Sequence, residues 1–185
     1  MKRSLLTLAV ILAAGVAATP ASAQLGGRVS IMPYVGYGFL GSLPGTSAEL
    51  ESDIAFGGRA SYQLSPQFAV YGNFQRTTPA VTGTVGGIEV DNGEVDLDHW
   101  SAGVEFSYVP RGGAEGMLPV LLEAGLGQTR IGGEGEIAAN LGIASVIQLN
   151  PMFGIRYGAN DYISNFRDEG IVNHVYVHVG AEVTF

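Results

Sequence analysis

The chain has 185 residues, of which 46% are hydrophobic, 28 are glycine and none is cysteine, and its formal net charge is −8. Without cysteine, an exported form of the chain has no disulfides to stabilise it. The acidic balance argues against nucleic-acid binding, which needs a basic patch to neutralise phosphates.

Residues 1–23 have the pattern of a cleaved secretory signal peptide. Lys2 and Arg3 precede an apolar run, and Ala21-Ser22-Ala23 matches a cleavage site. The alternative, a transmembrane helix, is disfavoured because the apolar run is too short to span a bilayer. The signal holds two of the nine basic residues, one of them the single lysine of the chain, and none of the seventeen acidic ones. The predicted mature chain therefore contains no lysine. By its length, that mature chain, residues 24–185, is one domain.

After the signal, a two-residue alternation of apolar side chains recurs eight times along the chain. This alternation is typical of β-strands, and the abundant glycine and β-branched residues disfavour helix. The predicted strands are residues 28–40, 53–64, 68–75, 99–109, 118–129, 137–149, 152–160 and 174–185.

The connections between these strands alternate between short turns and longer polar loops. The short ones are residues 65–67, 110–117 and 150–151, and the longer ones are residues 41–52, 76–98, 130–136 and 163–170. An even number of strands of about ten residues, with short turns at one end and longer loops at the other, is typical of bacterial transmembrane barrels. The sequence therefore predicts an all-β fold, a closed eight-stranded antiparallel up-and-down transmembrane β-barrel.

Each predicted strand has one apolar face and one face of small and polar residues. Small side chains suit the narrow interior of an eight-stranded barrel, and aromatic residues near the strand ends predict two rings at the membrane interfaces. The predicted interfacial aromatic residues are Tyr62, Phe68, Trp100, Tyr108, Phe153 and Phe185. Alternation alone does not distinguish inside from outside, so a soluble barrel with its apolar face inward is the alternative.

Three stretches, "IMPYVGYGF" in the first strand, "YQLSPQFAVYGNF" around the first turn and the terminal "VHVGAEVTF", resemble the small eight-stranded outer-membrane β-barrels, the OmpA-like transmembrane domain and its porin-family relatives. The resemblance covers the whole predicted mature chain. It implies a location in the bacterial outer membrane, contact with the lipid bilayer and lipopolysaccharide, and recognition of the last strand and its terminal Phe185 by the barrel assembly machinery. Because the chain ends with the predicted barrel, we expect no peptidoglycan-binding domain.

Five charged residues fall on the predicted lumen face at mid-strand: Arg59, Glu105, Glu123, Arg156 and Glu182. Buried charges must be paired, because an unpaired one costs several kcal/mol. The interpretation is an ion-pair network that closes the lumen, with Glu105 beside Glu123, Arg156 beside Glu182, and Arg59 reaching the first pair across the lumen. A plug of this kind in members of the resembling family supports the interpretation. A gated pore or proton path is the functional alternative.

The sequence does not predict a metal or cofactor site. His174 and His178 share the lumen face of the last strand but lie about 13 Å apart at ~3.3 Å per residue, and His99 is four strands away. They are interpreted as lumen polar residues. The acidic segment 89–98 does not fit an EF-hand, and a solvated acidic rim is favoured over loose Ca²⁺ bridging to lipopolysaccharide phosphates.

The predicted function is non-enzymatic, because no Ser–His pair is placed for nucleophilic catalysis. The first hypothesis is an outer-membrane barrel with a structural or surface-interaction role and a lumen closed by ion pairs. The second is a narrow porin-like channel for ions or small solutes. The third is adhesion or binding of a host factor, or another extracellular ligand, through the four longer loops.

Overall fold

The computed structural model describes residues 27–44, 46–85, 88–109, 118–166 and 170–185. The predicted signal peptide and the predicted short connection 110–117 lie outside these residues. No helix within the described ranges is long and apolar enough to cross a membrane.

The described chain forms eleven β-strands. They are β1 (Val29–Phe39), β2 (Ala48–Leu50), β3 (Asp53–Gln63), β4 (Phe68–Thr77), β5 (Ala80–Val85), β6 (Ile88–Glu94), β7 (Leu97–Tyr108), β8 (Val120–Ile131), β9 (Glu134–Gln148), β10 (Phe153–Phe166) and β11 (Gly170–Thr184). Eight of them close into a barrel in the order β1-β11-β10-β9-β8-β7-β4-β3, and β2, β5 and β6 form a separate three-stranded sheet. Every neighbouring pair in the barrel is antiparallel. The predicted fold class is confirmed.

The last strand shows which face points outward. Val175, Val177 and Val179 are exposed on the barrel exterior, whereas His174 and Tyr176, with the opposite parity, are completely buried. The apolar face therefore lies outside, and the soluble alternative with that face inward does not describe this barrel. An apolar exterior is stable only in contact with lipid or another apolar partner.

Glycine residues on the lumen face leave room for aromatic rings. A Cβ on Gly57 would lie 2.2 Å from the Tyr34 ring, and one on Gly38 would lie 2.4 Å from the Tyr176 ring. The large lumen side chains are therefore seated against wall positions that have no side chain. This packing explains why so many small residues occur on the polar face of the strands.

The two ends of the barrel differ. At one end, here the turn end, Ser65 and Asn150 close tight turns, each through a side-chain oxygen that accepts hydrogen bonds from two backbone N–H groups. The other end is here called the cap end. It has an apolar core formed by Leu43, Leu50, Leu97 and Val172, which we call the cap cluster, and the three-stranded sheet contributes Leu50 to it. Partly buried side chains including Val81 and Ile131 pack against it.

The predicted extents of the longer loops need correction. Residues 130–136 are almost entirely strand, with only Gly132 and Gly133 in the turn, where both have positive φ (58° and 96°) that favours glycine. Residues 163–166 continue β10, and residues 41–52 and 76–98 contain strand segments of the barrel or of the small sheet. The strands extend past the apolar band because backbone hydrogen bonds between neighbouring strands do not require apolar side chains.

Candidate functional site in the barrel lumen

The five predicted lumen charges come together in the turn-end half of the lumen. The guanidinium of Arg59 donates to Glu105 at 2.7 Å and to Glu123 at 2.9 Å. Arg156 donates to the same two carboxylates from the other side, and its Nη1 lies 3.6 Å from the carboxylate of Glu182. The network joins β3, β7, β8, β10 and β11 across the lumen.

The register between β7 and β8 explains the central position of the two arginines. Glu105 on β7 and Glu123 on β8 are direct cross-strand partners, so two like charges face each other on neighbouring strands. Like charges directly opposite each other are destabilising. Arg59 and Arg156 both bridge this acidic pair, and the side chains of Arg59, Arg156 and Glu123 are at most 5% exposed. Glu182 is the peripheral member, with 18% of its side chain exposed and the longest contact.

A second layer of side chains, rich in tyrosine and here called the tyrosine layer, lies between the ion-pair network and the cap end. Tyr71 places its ring 3.8 Å over the Arg59 guanidinium and donates its hydroxyl to Asn140 at 2.7 Å. Tyr34 donates to Asn73 at 3.0 Å, and Asn73 donates to Tyr162 at 2.6 Å. The arginine charge is thus held between carboxylates on one side and an aromatic face on the other.

The three histidines are arranged differently from the sequence prediction. His99 and His174, which we call the histidine pair, were expected to be far apart because their strands are four apart, but their ring centroids are 5.3 Å apart. The strands are four apart around the wall, and side chains from opposite walls of a narrow barrel meet at its centre. His178 lies nearer the turn end of the lumen, with its ring centroid 5.1 Å from that of Tyr34.

The predicted interfacial aromatic residues lie on the barrel exterior. The five within the strand pattern are between 45% and 52% exposed: Tyr62, Phe68, Trp100, Tyr108 and Phe153. Two form aromatic contacts, Phe68 with Phe106 and Trp100 with Phe74. The backbone N–H of Phe185 donates to Val29, which ties the last residue to the first strand.

The acidic segment 89–98 spans β6 and the start of β7, with a register shift in the β5–β6 pairing. Asp98 makes two hydrogen bonds of 2.6 Å with Arg76 on the neighbouring strand β4. Among the described residues, no group of three or more His, Cys, Asp or Glu side chains is arranged to hold a metal ion.

Sequence reasoning did not identify the cap cluster or the tyrosine layer. Tyr34, Tyr71 and Tyr176 have the parity of the lumen face, and a parity count extended to aromatic residues would have found them. The cap cluster had no comparable signal. Its residues come from a connection, from the ends of two barrel strands and from a three-residue strand, far apart in the chain.

No protein-family model matches the chain, and no curated protein matches its sequence. Several solved structures share the fold. The outer membrane protein OprG from Pseudomonas aeruginosa aligns with a TM-score of 0.65 and 10% identity, covering 88% of this chain and 97% of OprG. The N-terminal β-barrel domain of Pseudomonas aeruginosa OprF aligns with a TM-score of 0.53 and 13% identity, covering 85% of this chain and 97% of that domain. Neisserial surface protein A aligns with a TM-score of 0.51 and 15% identity, covering 86% and 97% of the two chains. At these identities the likeness concerns the fold, which is that of small outer-membrane barrels.

Proposed function

We propose that this protein is a non-enzymatic outer-membrane β-barrel whose lumen is closed and whose role is structural or in surface interaction. The observation that carries the proposal is the buried ion-pair network across the lumen. Arg59 and Arg156 each contact both Glu105 and Glu123, so strands from opposite sides of the wall are tied together. A solute moving along the axis would have to separate these charges.

The filling of the lumen on the cap side supports the same conclusion. Tyr162, Tyr176, His99 and His174 are buried almost completely, and the cap cluster lies beyond them. Eight strands enclose a space that side chains just fill. A narrow channel for ions or small solutes would need both this layer and the ion-pair network to move aside.

The exterior supports placement in a bilayer. Exposed apolar side chains occur on every barrel strand, and aromatic residues lie towards both ends of the apolar band. With the turn end in the periplasm, as in barrels with short periplasmic turns, the cap end faces outward. We infer that the partners are outer-membrane lipids, lipopolysaccharide at the cap end, and the barrel assembly machinery, which would recognise β11 and Phe185. An extracellular ligand would have to bind the cap or its connecting loops.

Single-channel recording in planar lipid bilayers tests the closed lumen. We expect the refolded wild-type protein to show no steady unitary openings, while migrating as a heat-modifiable band that proves folding and insertion. The variant R59M/E105Q/E123Q/R156M removes the four central charges, and E182Q is its matched control at the periphery. Openings in the four-charge variant alone would attribute closure to the network, and silence in both variants would show that the buried tyrosine and histidine side chains on the cap side are sufficient to keep the lumen closed. Steady openings in the wild type would overturn the proposal in favour of a pore.

A further inference from the structure

Two buried histidines lie directly beneath the apolar cap cluster. His99 follows Leu97 by two residues on β7, and His174 follows Val172 by two residues on β11. Residues two apart on a strand point to the same face about 7 Å apart. Both strands therefore carry a cap-cluster residue and, one step deeper in the lumen, a histidine that is fully buried.

The surroundings of the histidine pair suit neutral rings. Nδ1 of His99 is 2.9 Å from the Thr129 hydroxyl, and its Nε2 is 3.0 Å from the Tyr176 hydroxyl. The Tyr162 ring stacks on His99 at 4.2 Å. Neither ring nitrogen of His174 has a hydrogen-bond partner among the described residues, although the side chain is completely buried.

Few charged groups face the histidine pair. The titratable side chains that β10 and β11 contribute are the phenols of Tyr162 and Tyr176, which remain neutral at ordinary pH. From β3, Asp53 lies near Tyr176 and accepts a hydrogen bond from Thr77 on β4 at 3.4 Å. From β9, Glu136 shares the parity of the buried Ala138 and Asn140 and is the cross-strand partner of Thr129, while Asp161 on β10 lies beside Tyr162 with the opposite parity. Among the described residues, none of these three carboxylates forms an ion pair with His99 or His174. A positive charge on either ring would therefore have no carboxylate in contact with it.

We propose that the cap end is an acid-sensitive closure, in which protonation of the histidine pair releases the cap cluster from the lumen. Each ring binds one proton from solvent, and no covalent bond is made or broken. Tyr162 can stabilise one charge on His99 through its ring face, but a second charge on His174 would lie 5.3 Å away without a hydrogen-bond partner. Displacing Leu97 and Val172 outward would admit water to both rings and relieve the repulsion.

The ion-pair network is separate from this device. It lies on the other side of the tyrosine layer and consists of arginines and glutamates, with no histidine, the side chain whose ordinary pKa lies between pH 5 and 8. Acidification is therefore expected to open the cap end while leaving the turn-end half of the lumen closed. The proposal does not depend on whether the lumen conducts.

Thiol labelling in the folded protein tests the proposal, because the chain has no cysteine of its own. V172C places a thiol in the cap cluster, at a side chain that is 5% exposed, and I171C places one on the neighbouring exterior residue, which is 74% exposed. Each variant is refolded in lipid vesicles and labelled with a membrane-impermeant maleimide between pH 7.5 and pH 4.5. The ratio of the V172C rate to the I171C rate reports opening, since the intrinsic fall of thiol reactivity with pH affects both.

On acidification we expect this ratio to rise by about tenfold or more. Each proton that only the open form binds changes the equilibrium between the closed and the open cap by about tenfold per pH unit. The rise should disappear in the H99Q/H174Q background and persist with H178Q, which alters the lumen histidine that does not contact the pair. H174L is the second test, because His174 has no hydrogen bond to lose and the variant should fold with its cap closed at all pH values. A ratio that stays flat in the wild type, or that rises equally in H99Q/H174Q, overturns the proposal.

Discussion

Replacing Arg156 by methionine should destabilise the barrel far more than neutralising Glu182, although the two residues belong to one network. The side chain of Arg156 is 3% exposed and contacts Glu105, Glu123 and Glu182. Without it, two directly opposed carboxylates share Arg59 alone. Removing one partner of a buried charge network leaves an uncompensated charge and costs about 3–5 kcal/mol.

The matched control, E182Q, removes one of three carboxylates that face two arginines. Its contact with Arg156 is 3.6 Å, beyond hydrogen-bonding distance, and the Glu182 side chain is partly exposed. Exposed ion pairs contribute about 0–1 kcal/mol. We therefore expect E182Q to remain close to the wild type, and the difference between the two variants to be several times larger than the uncertainty of a denaturation curve.

Urea unfolding of the protein refolded in lipid vesicles would measure both effects. Trp100 is the single tryptophan, lies on the exterior and is 52% exposed, so its fluorescence reports the loss of the lipid environment. R156K, which keeps the charge, covers the case in which R156M does not fold. The double variant R156M/E105Q should recover part of the loss, because it removes one of the two facing carboxylates. Equal losses for R156M and E182Q, or a loss below about 1 kcal/mol for R156M, would refute the assigned charge network.

Two further pairs of variants test lumen packing and lipid exposure. G57V should cost about 1–3 kcal/mol of unfolding free energy, because its side chain would overlap the Tyr34 ring; G58V, where the structure shows open space, should be tolerated, and equal urea midpoints for the two would contradict the packing. V179R should cost about 2–4 kcal/mol if Val179 faces the bilayer interior, whereas I171R near the cap end should cost about 0–1 kcal/mol. Tolerance of V179R in vesicles would mean that this face does not contact lipid.

The sequence predicted the strands and their faces well because one physical rule governs them. A strand between lipid and a filled lumen must alternate with a period of exactly two residues. In the last strand, this rule placed Val175, Val177 and Val179 outside and His178 and Glu182 inside without knowledge of any contact. The loop extents were overestimated because paired strands continue beyond the apolar band, where polar residues replace apolar ones and the alternation signal fades.

Contacts across the lumen were harder to predict than the identity of its lining. Parity put Arg59, Arg156 and the glutamates on one face, but register decides their depths, and register depends on the pairing of all eight strands. The prediction joined Arg156 chiefly to Glu182, whereas the structure places its shorter contacts with Glu105 and Glu123. Separation around the wall was likewise mistaken for separation across the lumen in the case of His99 and His174.

The lumen is organised in layers, and the order of the layers determines where this protein can respond to its surroundings. Near the turn end, two arginines and three glutamates form the ion-pair network. In the middle, tyrosine and asparagine side chains are held by hydrogen bonds that do not require ionisation. Histidine, whose ordinary pKa lies near neutrality, occurs in the described lumen singly beside the tyrosine layer, as His178, and as a pair beneath the cap cluster, as His99 and His174. Only at the pair would a second proton place a second positive charge 5.3 Å from the first. Acidification would therefore act on the cap, which closes the lumen at that end, and leave the barrel wall and the ion-pair network in place.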